Sequence, residues 1–129
     1  MGIALYINNG TNKETKMKFD ERQEPEALVV KPLENRLDSY VAEAFKIHMK
    51  DIVANGHLHI VLDLSDIGFI DSSGLGAIIS TMIALRPQGQ LMVCNAKDNV
   101  LSLFRLTRMD RVIPIKNDVN EALRTMCSE

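Results

Sequence analysis

Tryptophan is absent, and two tyrosines and four phenylalanines are the whole aromatic complement of this 129-residue chain. So sparse a set argues against a stacking platform for single-stranded nucleic acid. A net charge of −2 argues equally against a grip on a phosphate backbone, so no nucleic-acid partner is expected. Cysteine is scarce as well: Cys94 and Cys127 lie 33 residues apart, outside any C-x-x-C or Cys/His ligand spacing. The expectation is two reduced thiols with no redox motif and no zinc site. No apolar run approaches the ~18 residues that suggest a membrane span, so no membrane insertion is expected. No basic segment precedes the short Ile3–Ile7 run, and Tyr6 stands where a myristoylation signal wants Ser or Thr. The expected location is therefore the cytoplasm, and Asn9-Gly10-Thr11, formally a glycosylation sequon, reads as a turn.

What is present is ordinary for a globular protein, 46% hydrophobic and 25% charged residues. A chain of this length buries roughly two-thirds of its unfolded surface and folds as one domain without a staple. Residues 8–16 are polar turn-formers that set Ile3–Ile7 apart, as a hairpin turn or a flexible leader. Met17–Arg22 and Ala27–Leu33 read as two strands broken by Gln23-Glu24-Pro25-Glu26, able to pair as a hairpin. Asp38 or Ser39 then caps a helix with Val41, Ala44, Phe45, Met49, Ile52 and Val53 at helical spacing, ending at Asn55-Gly56.

Beyond it the period alternates. A buried strand, His59–Leu64, leads to a helix carrying Leu75, Ile78, Ile79, Met82 and Leu85 on one side. Leu91–Cys94 follows as a strand, Val100, Leu103, Phe104 and Thr107 mark a helix, Val112–Ile115 a proline-bearing edge strand, and Val119, Ala122, Leu123 and Met126 a last helix. The order αβαβαβα from residue 38 predicts an α/β fold, with a mixed, mostly parallel sheet and about four helices.

The informative junction is Asp71-Ser72-Ser73-Gly74-Leu75-Gly76, where a strand gives way to a helix. Hydroxyls and glycines at a helix N-terminus offer free N–H groups and reachable side chains, suited to capping, to an anion or to a partner's backbone. Ligand and partner sites in such sheets lie beyond the strands' C-terminal ends, where this hexapeptide falls. Enzyme motifs fail here. A nucleophile elbow needs glycines two residues either side of Ser73, where Asp71 and Leu75 stand. A dinucleotide fingerprint needs a third glycine at position 79, which is Ile, and no Gly-Lys pair exists for a phosphate-binding P-loop. Asp63, Asp66 and Asp71 read as turn and cap residues, His57 and His59 lack a third metal ligand, and His48 lies on an apolar stripe as a packed histidine. No catalytic residue, metal or cofactor is assigned. Arg105, Arg108 and Arg111 cluster near Met109, as solvated charges or as a basic patch that orients a partner.

The stretch Ile60–Gly76, IVLDLSDIGFIDSSGLG, resembles the signature of STAS domains, in particular the single-domain anti-sigma factor antagonists of bacteria. The resemblance spans about residues 17–127, making 17–129 a single STAS domain and 1–16 an N-terminal extension. Leu37-Asp38 resembles the family's acidic element before the first helix, and Leu91–Asn95 the strand after the phosphorylatable helix. The resemblance implies that Ser73 is a phosphoacceptor, with Asp71 the acidic residue beside it and Ser72 the neighbouring hydroxyl. It implies a partner surface of Asp38, Asp71, Ser72, Ser73, Gly74, Leu75 and Gly76. The partners would be an anti-sigma factor that is also a serine kinase, and a serine phosphatase. On this reading the unphosphorylated protein frees a sigma factor, and phosphorylation switches it off. The alternatives are a constitutive STAS scaffold or subunit of a signalling complex or transport ATPase, and a small hydrolase for which no base is visible. One departure stands out: family members commonly show Gly-Glu/Asp-Leu-Asp where this chain has Asn35-Arg36-Leu37-Asp38. Asparagine tolerates the positive φ a glycine supplies, so the turn survives, while Arg36 reverses a local charge that bears on partner choice.

Overall fold

The computed structural model describes residues 2–8 and 15–128, with side-chain environments from 17 to 127. The Asn9-Gly10-Thr11 sequon lies outside them. Eight strands, four helices and one 3-10 turn are described: β1 (Gly2–Asn8), β2 (Thr15–Gln23), β3 (Leu28–Pro32), β4 (Arg36–Leu37), α1 (Ala42–Ala54), β5 (His59–Asp63), β6 (Phe69–Ile70), α2 (Ser72–Leu85), β7 (Gln90–Cys94), α3 (Asp98–Leu106), the turn Met109–Arg111, β8 (Ile115–Lys116) and α4 (Val119–Ser128). The main sheet runs β1-β2-β3-β5-β7-β8. Its first two pairings are antiparallel and its last three parallel, so the sheet is mixed and mostly parallel as expected.

Strand alternation sorts the core into two layers. Leu28, Val30, Ile60, Leu62, Leu91 and Val93 point to one face, where they meet Phe45 and Met49 of α1, Ile78 and Leu85 of α2, and Val100 and Phe104 of α3. Val29, Val61, Met92 and Cys94 point to the other, covered by Ala122 and Met126 of α4. Three helices on one face and one on the other follow from which connections are crossovers between parallel strands. His48 is a packed core histidine, as the stripe suggested: its ring stacks on Phe19 at 4.0 Å between centroids, and its Nε2 donates to Glu21.

Three local expectations are corrected. The cap of α1 is not Asp38 or Ser39, because the helix begins at Ala42 after Val41, which makes no side-chain cap bond. Asp38 is engaged one turn earlier: its carboxylate accepts from the Tyr40 N–H at 3.1 Å, and its carbonyl from the N–H groups of Val41 and Ala42. The Val112–Ile115 strand is shifted to Ile115–Lys116, because the N–H groups of Val112 and Ile113 are already donated to the Met109 carbonyl in the 3-10 turn. It does sit at the sheet edge. Finally, the hexapeptide does not leave β5 directly. A second, two-stranded parallel sheet intervenes, pairing Arg36 with Phe69 and Leu37 with Ile70.

That small sheet presses against the first turn of α2, and Gly74 permits the contact. A Cβ there would lie 2.0 Å from the Leu37 carbonyl oxygen, whereas one at Gly76 would meet nothing within 4 Å. Gly74→Ala is therefore expected to destabilise by about 1–3 kcal/mol in urea unfolding. Gly76→Ala should be neutral or stabilising by up to about 1 kcal/mol through helix propensity. Equal effects at the two sites would contradict the geometry.

The cysteines differ as strongly. Cys94 is buried and Cys127 exposed. Desolvation, with the charges of Asp63 and Asp118 adding to it, pushes the Cys94 thiol up to about 12. Since the thiolate is the nucleophile, a disulfide reagent at pH 8 should titrate one thiol in the native protein and two after denaturation. Two rapid native equivalents would refute this burial.

Candidate functional site

Asp71 is the keystone of the hexapeptide. It has extended backbone and caps α2, its Oδ1 accepting from the Gly74 N–H at 3.0 Å, while its carbonyl receives the Leu75 N–H. Its other oxygen accepts from the Ser39 N–H at 3.2 Å, so one carboxylate ties α2 to the loop before α1. Ser and Asp are both good caps, and here the acid occupies the position. Ser72 and Ser73 are left exposed in the first turn, and among the described residues neither hydroxyl makes a hydrogen bond. Their N–H groups lie ahead of the first intrahelical bond, on the positive end of the helix.

The remaining expected residues divide in two. Gly74 and Leu75 are buried and shape the turn from within, whereas Gly76 is exposed one turn beyond Ser73. Asp38 is buried beside the turn, its Oδ2 accepting from Arg36 Nε at 2.7 Å. That hydrogen bond holds its carboxyl below the usual carboxylate range, outweighing the burial that opposes it. Nearby, burial and then the Asp38 charge push the Glu34 carboxyl up, against the pull of Lys18.

Ser72, Ser73 and Gly76 line a shallow groove of about 410 Å³ between α1 and α2, with Ser39, Ala42, Glu43, Lys46 and Ala77 on its other walls. Lys46 and Glu43 escape a reading of sequence because they come from the solvent side of a different helix. Two further residues flank the site. Tyr40 is 82% exposed, and Phe69 is 44% exposed with the Arg36 guanidinium 5.1 Å from its ring centroid. Large exposed aromatics beside an arginine are the residue types that anchor protein contacts. Arg36 thus bridges Asp38 and Phe69 instead of pointing freely into solvent.

The other candidate chemistry does not assemble. Asp63 accepts from the Ser65 N–H and from Asn95 Nδ2, both at 3.0 Å, and Asp66 pairs with Lys31 at 3.7 Å, which are turn and surface roles. His59 opens β5 and His57 precedes it. Among the described residues no group of three or more His, Cys, Asp or Glu is placed to hold a metal ion. No helix among them is long and apolar enough to cross a membrane. Arg105, Arg108 and Arg111 are all exposed around the turn that follows α3.

Three similarities bear on this geometry. An anti-sigma F factor antagonist of Paenibacillus polymyxa is 27% identical over 103 residues, covering 78% of this chain and 88% of that protein. An anti-sigma factor antagonist from Mycobacterium paratuberculosis superposes with a TM-score of 0.78 at 22% identity, covering 85% of this chain and 93% of that one. The Bacillus cell fate determinant SpoIIAA in its phosphorylated form gives 0.64 at 20% identity, covering 83% and 97%. At those identities the two structures speak to the fold alone. The sequence profile of the STAS domain matches residues 18–122, and with that span matched the chain belongs to the STAS domain family.

Proposed function

We propose that this protein is an anti-sigma factor antagonist that binds an anti-sigma factor through the first turn of α2 and is switched off by phosphorylation of Ser73. The observation that carries the reading is the division of labour at the helix start. Asp71 supplies the cap, so the Ser73 hydroxyl is exposed in the groove with no structural bond to lose. Similarity to the anti-sigma F factor antagonist of Paenibacillus polymyxa supports the class of partner.

Residues 17–129 form the working domain in this reading, with 1–16 as an extension. The partner kinase would supply the phosphoryl group and a serine phosphatase would remove it, in the cytoplasm, while the chain itself catalyses nothing. Gly76, with open space where a side chain would be, leaves room for the partner's backbone. Arg36, held by Asp38 and Phe69, places a positive charge at the rim, where rim charges select partners and speed encounter.

The chemistry of the switch is electrostatic. A phosphoserine adds about −1.5 to −2 charges at pH 7. Repulsion and desolvation at a buried contact then weaken the complex by roughly 2 to 5 kcal/mol, or about 30-fold to several thousand-fold.

Binding to the cognate anti-sigma factor, measured by calorimetry, should be retained in Ser73→Ala and weakened by about 30-fold or more in Ser73→Asp. Phosphate incorporation by that partner should vanish in Ser73→Ala and persist in Ser72→Ala. Gly76→Ala should fold normally yet bind more weakly. Equal binding by wild type and Ser73→Asp would sink the switch and leave a constitutive scaffold.

A further inference from the structure

A second crevice opens at the same end of the sheet and shares no residue with the Ser73 groove. After β7 the chain turns to α3 on one face, and after the neighbouring β8 it turns to α4 on the other. Adjacent parallel strands whose exits diverge in this way leave a gap beyond their C-terminal ends, the topological switch point where α/β sheets take ligands. The gap here has a volume of about 310 Å³, at the small end of ligand cavities.

Both of its exits are fixed by polar side chains. Asn95 follows β7 at φ 59°, a left-handed conformation, and its Nδ2 donates to the buried carboxylate of Asp63 at 3.0 Å. On the other side Asp118 Oδ1 accepts from the Glu121 N–H at 2.8 Å, and Glu121 Oε1 from the Asn117 N–H at 2.6 Å. The gap is therefore a feature of two anchored loops, independent of any single flexible one.

Two cations from different elements line it. Arg105 comes from α3 and half-buried Lys116 from β8, and Ala96, Leu101, Asp110, Ile115 and Asn117 complete the lining. Among the described residues neither Arg105, Lys116 nor Asp110 is in an ion pair. Two positive charges, one a planar fork and one a point charge, answer to a dianion such as a phosphate monoester. Among the described residues Asp110 has no hydrogen-bond partner for its carboxylate, an acceptor suited to a hydroxyl on the same ligand.

We propose that the β7/β8 crevice is a binding site for a small phosphorylated polyol of the sugar-phosphate class, held by Arg105 and Lys116 through its phosphate and by Asp110 through a hydroxyl. Such a site would let a metabolite bind the protein without occupying the α2 face.

The test is a titration of the full chain with ribose 5-phosphate, followed by amide chemical shifts, with inorganic phosphate and ribose as separate arms. Saturable shifts at Ala96, Lys116 and Asn117, with Ser73 unmoved, are expected. Arg105→Gln and Lys116→Gln, each with unchanged Tm, should weaken binding about tenfold. Asp110→Asn should weaken the sugar phosphate and spare inorganic phosphate. Absence of saturable shifts, or affinity unaltered in both cation variants, overturns the proposal. Inorganic phosphate binding as tightly as ribose 5-phosphate overturns the ligand class.

Discussion

The Asp71 carboxylate is the contact on which the α2 face depends. One oxygen satisfies an orphan N–H of the helix and the other the N–H of Ser39, so two elements far apart in sequence share one anion. Without it, the first turn of α2 would draw on Ser72 or Ser73 for its cap, since a hydroxyl is the next best acceptor at a helix start. With it, both serines are relieved of structural work. The small parallel sheet completes the arrangement, bringing the Leu37 carbonyl to within 2.0 Å of where a Cβ on residue 74 would sit. Glycine at 74 is thus a packing requirement, while glycine at 76 meets no such requirement.

The same end of the sheet carries two openings because the crossovers change face once. From α1 to α3 the helices cover one layer of strand side chains, and only after the edge strand does the chain cross to the other. The first opening lies between neighbouring helices on one face, the second between strands whose exits diverge. Beside each opening a buried or half-buried acid anchors the chain that leads to it: Asp71 holds Ser39 and Gly74 for the first, Asp63 holds Asn95 for the second. Asp63 also raises the Cys94 thiol pKa, so the acid that fixes the β7 exit helps keep the adjacent cysteine protonated and inert.

Much of this was legible in the residues. The unbroken apolar runs Ile60–Leu62 and Leu91–Val93 reflect strands buried on both faces, and the helical spacing in Leu75–Leu85 reflects one buried helix face. The cap Asp71 was legible too, because capping chemistry is local, whereas Ser73 stood out from Ser72 only through the family resemblance. What escaped is what periodicity cannot carry. β4 and β6 are two residues each, too short for a period, and they exist because Leu37 and Ile70 meet across a long sequence separation. The start of α1 was misplaced because Asp38 spends its oxygens on Arg36 and Tyr40, a competition visible only in space. The edge strand slid toward Ile115 because a 3-10 turn had claimed the preceding N–H groups. The pairing of Arg105 with Lys116 across one crevice leaves no trace in sequence, since they lie on different elements.

The position of Ser73 also decides whether the fold or the complex responds to a phosphate. Interaction of an anion with the end of a helix is worth about 0.3–1 kcal/mol at an exposed site and ~2 when partly buried. Lys46 on the facing wall adds attraction and Asp71 repulsion, both softened by solvent in an open groove. These small terms oppose one another, so the free protein is left nearly as stable as before. A partner covering the groove removes the solvent, and the same dianion then faces a desolvation penalty of several kcal/mol for each buried charge. In the proposed switch, exposure in the free protein and burial in the complex would together turn a modest local perturbation into a large difference in affinity. A serine engaged as the helix cap would have lacked that contrast, because modifying it would have cost the fold its first turn.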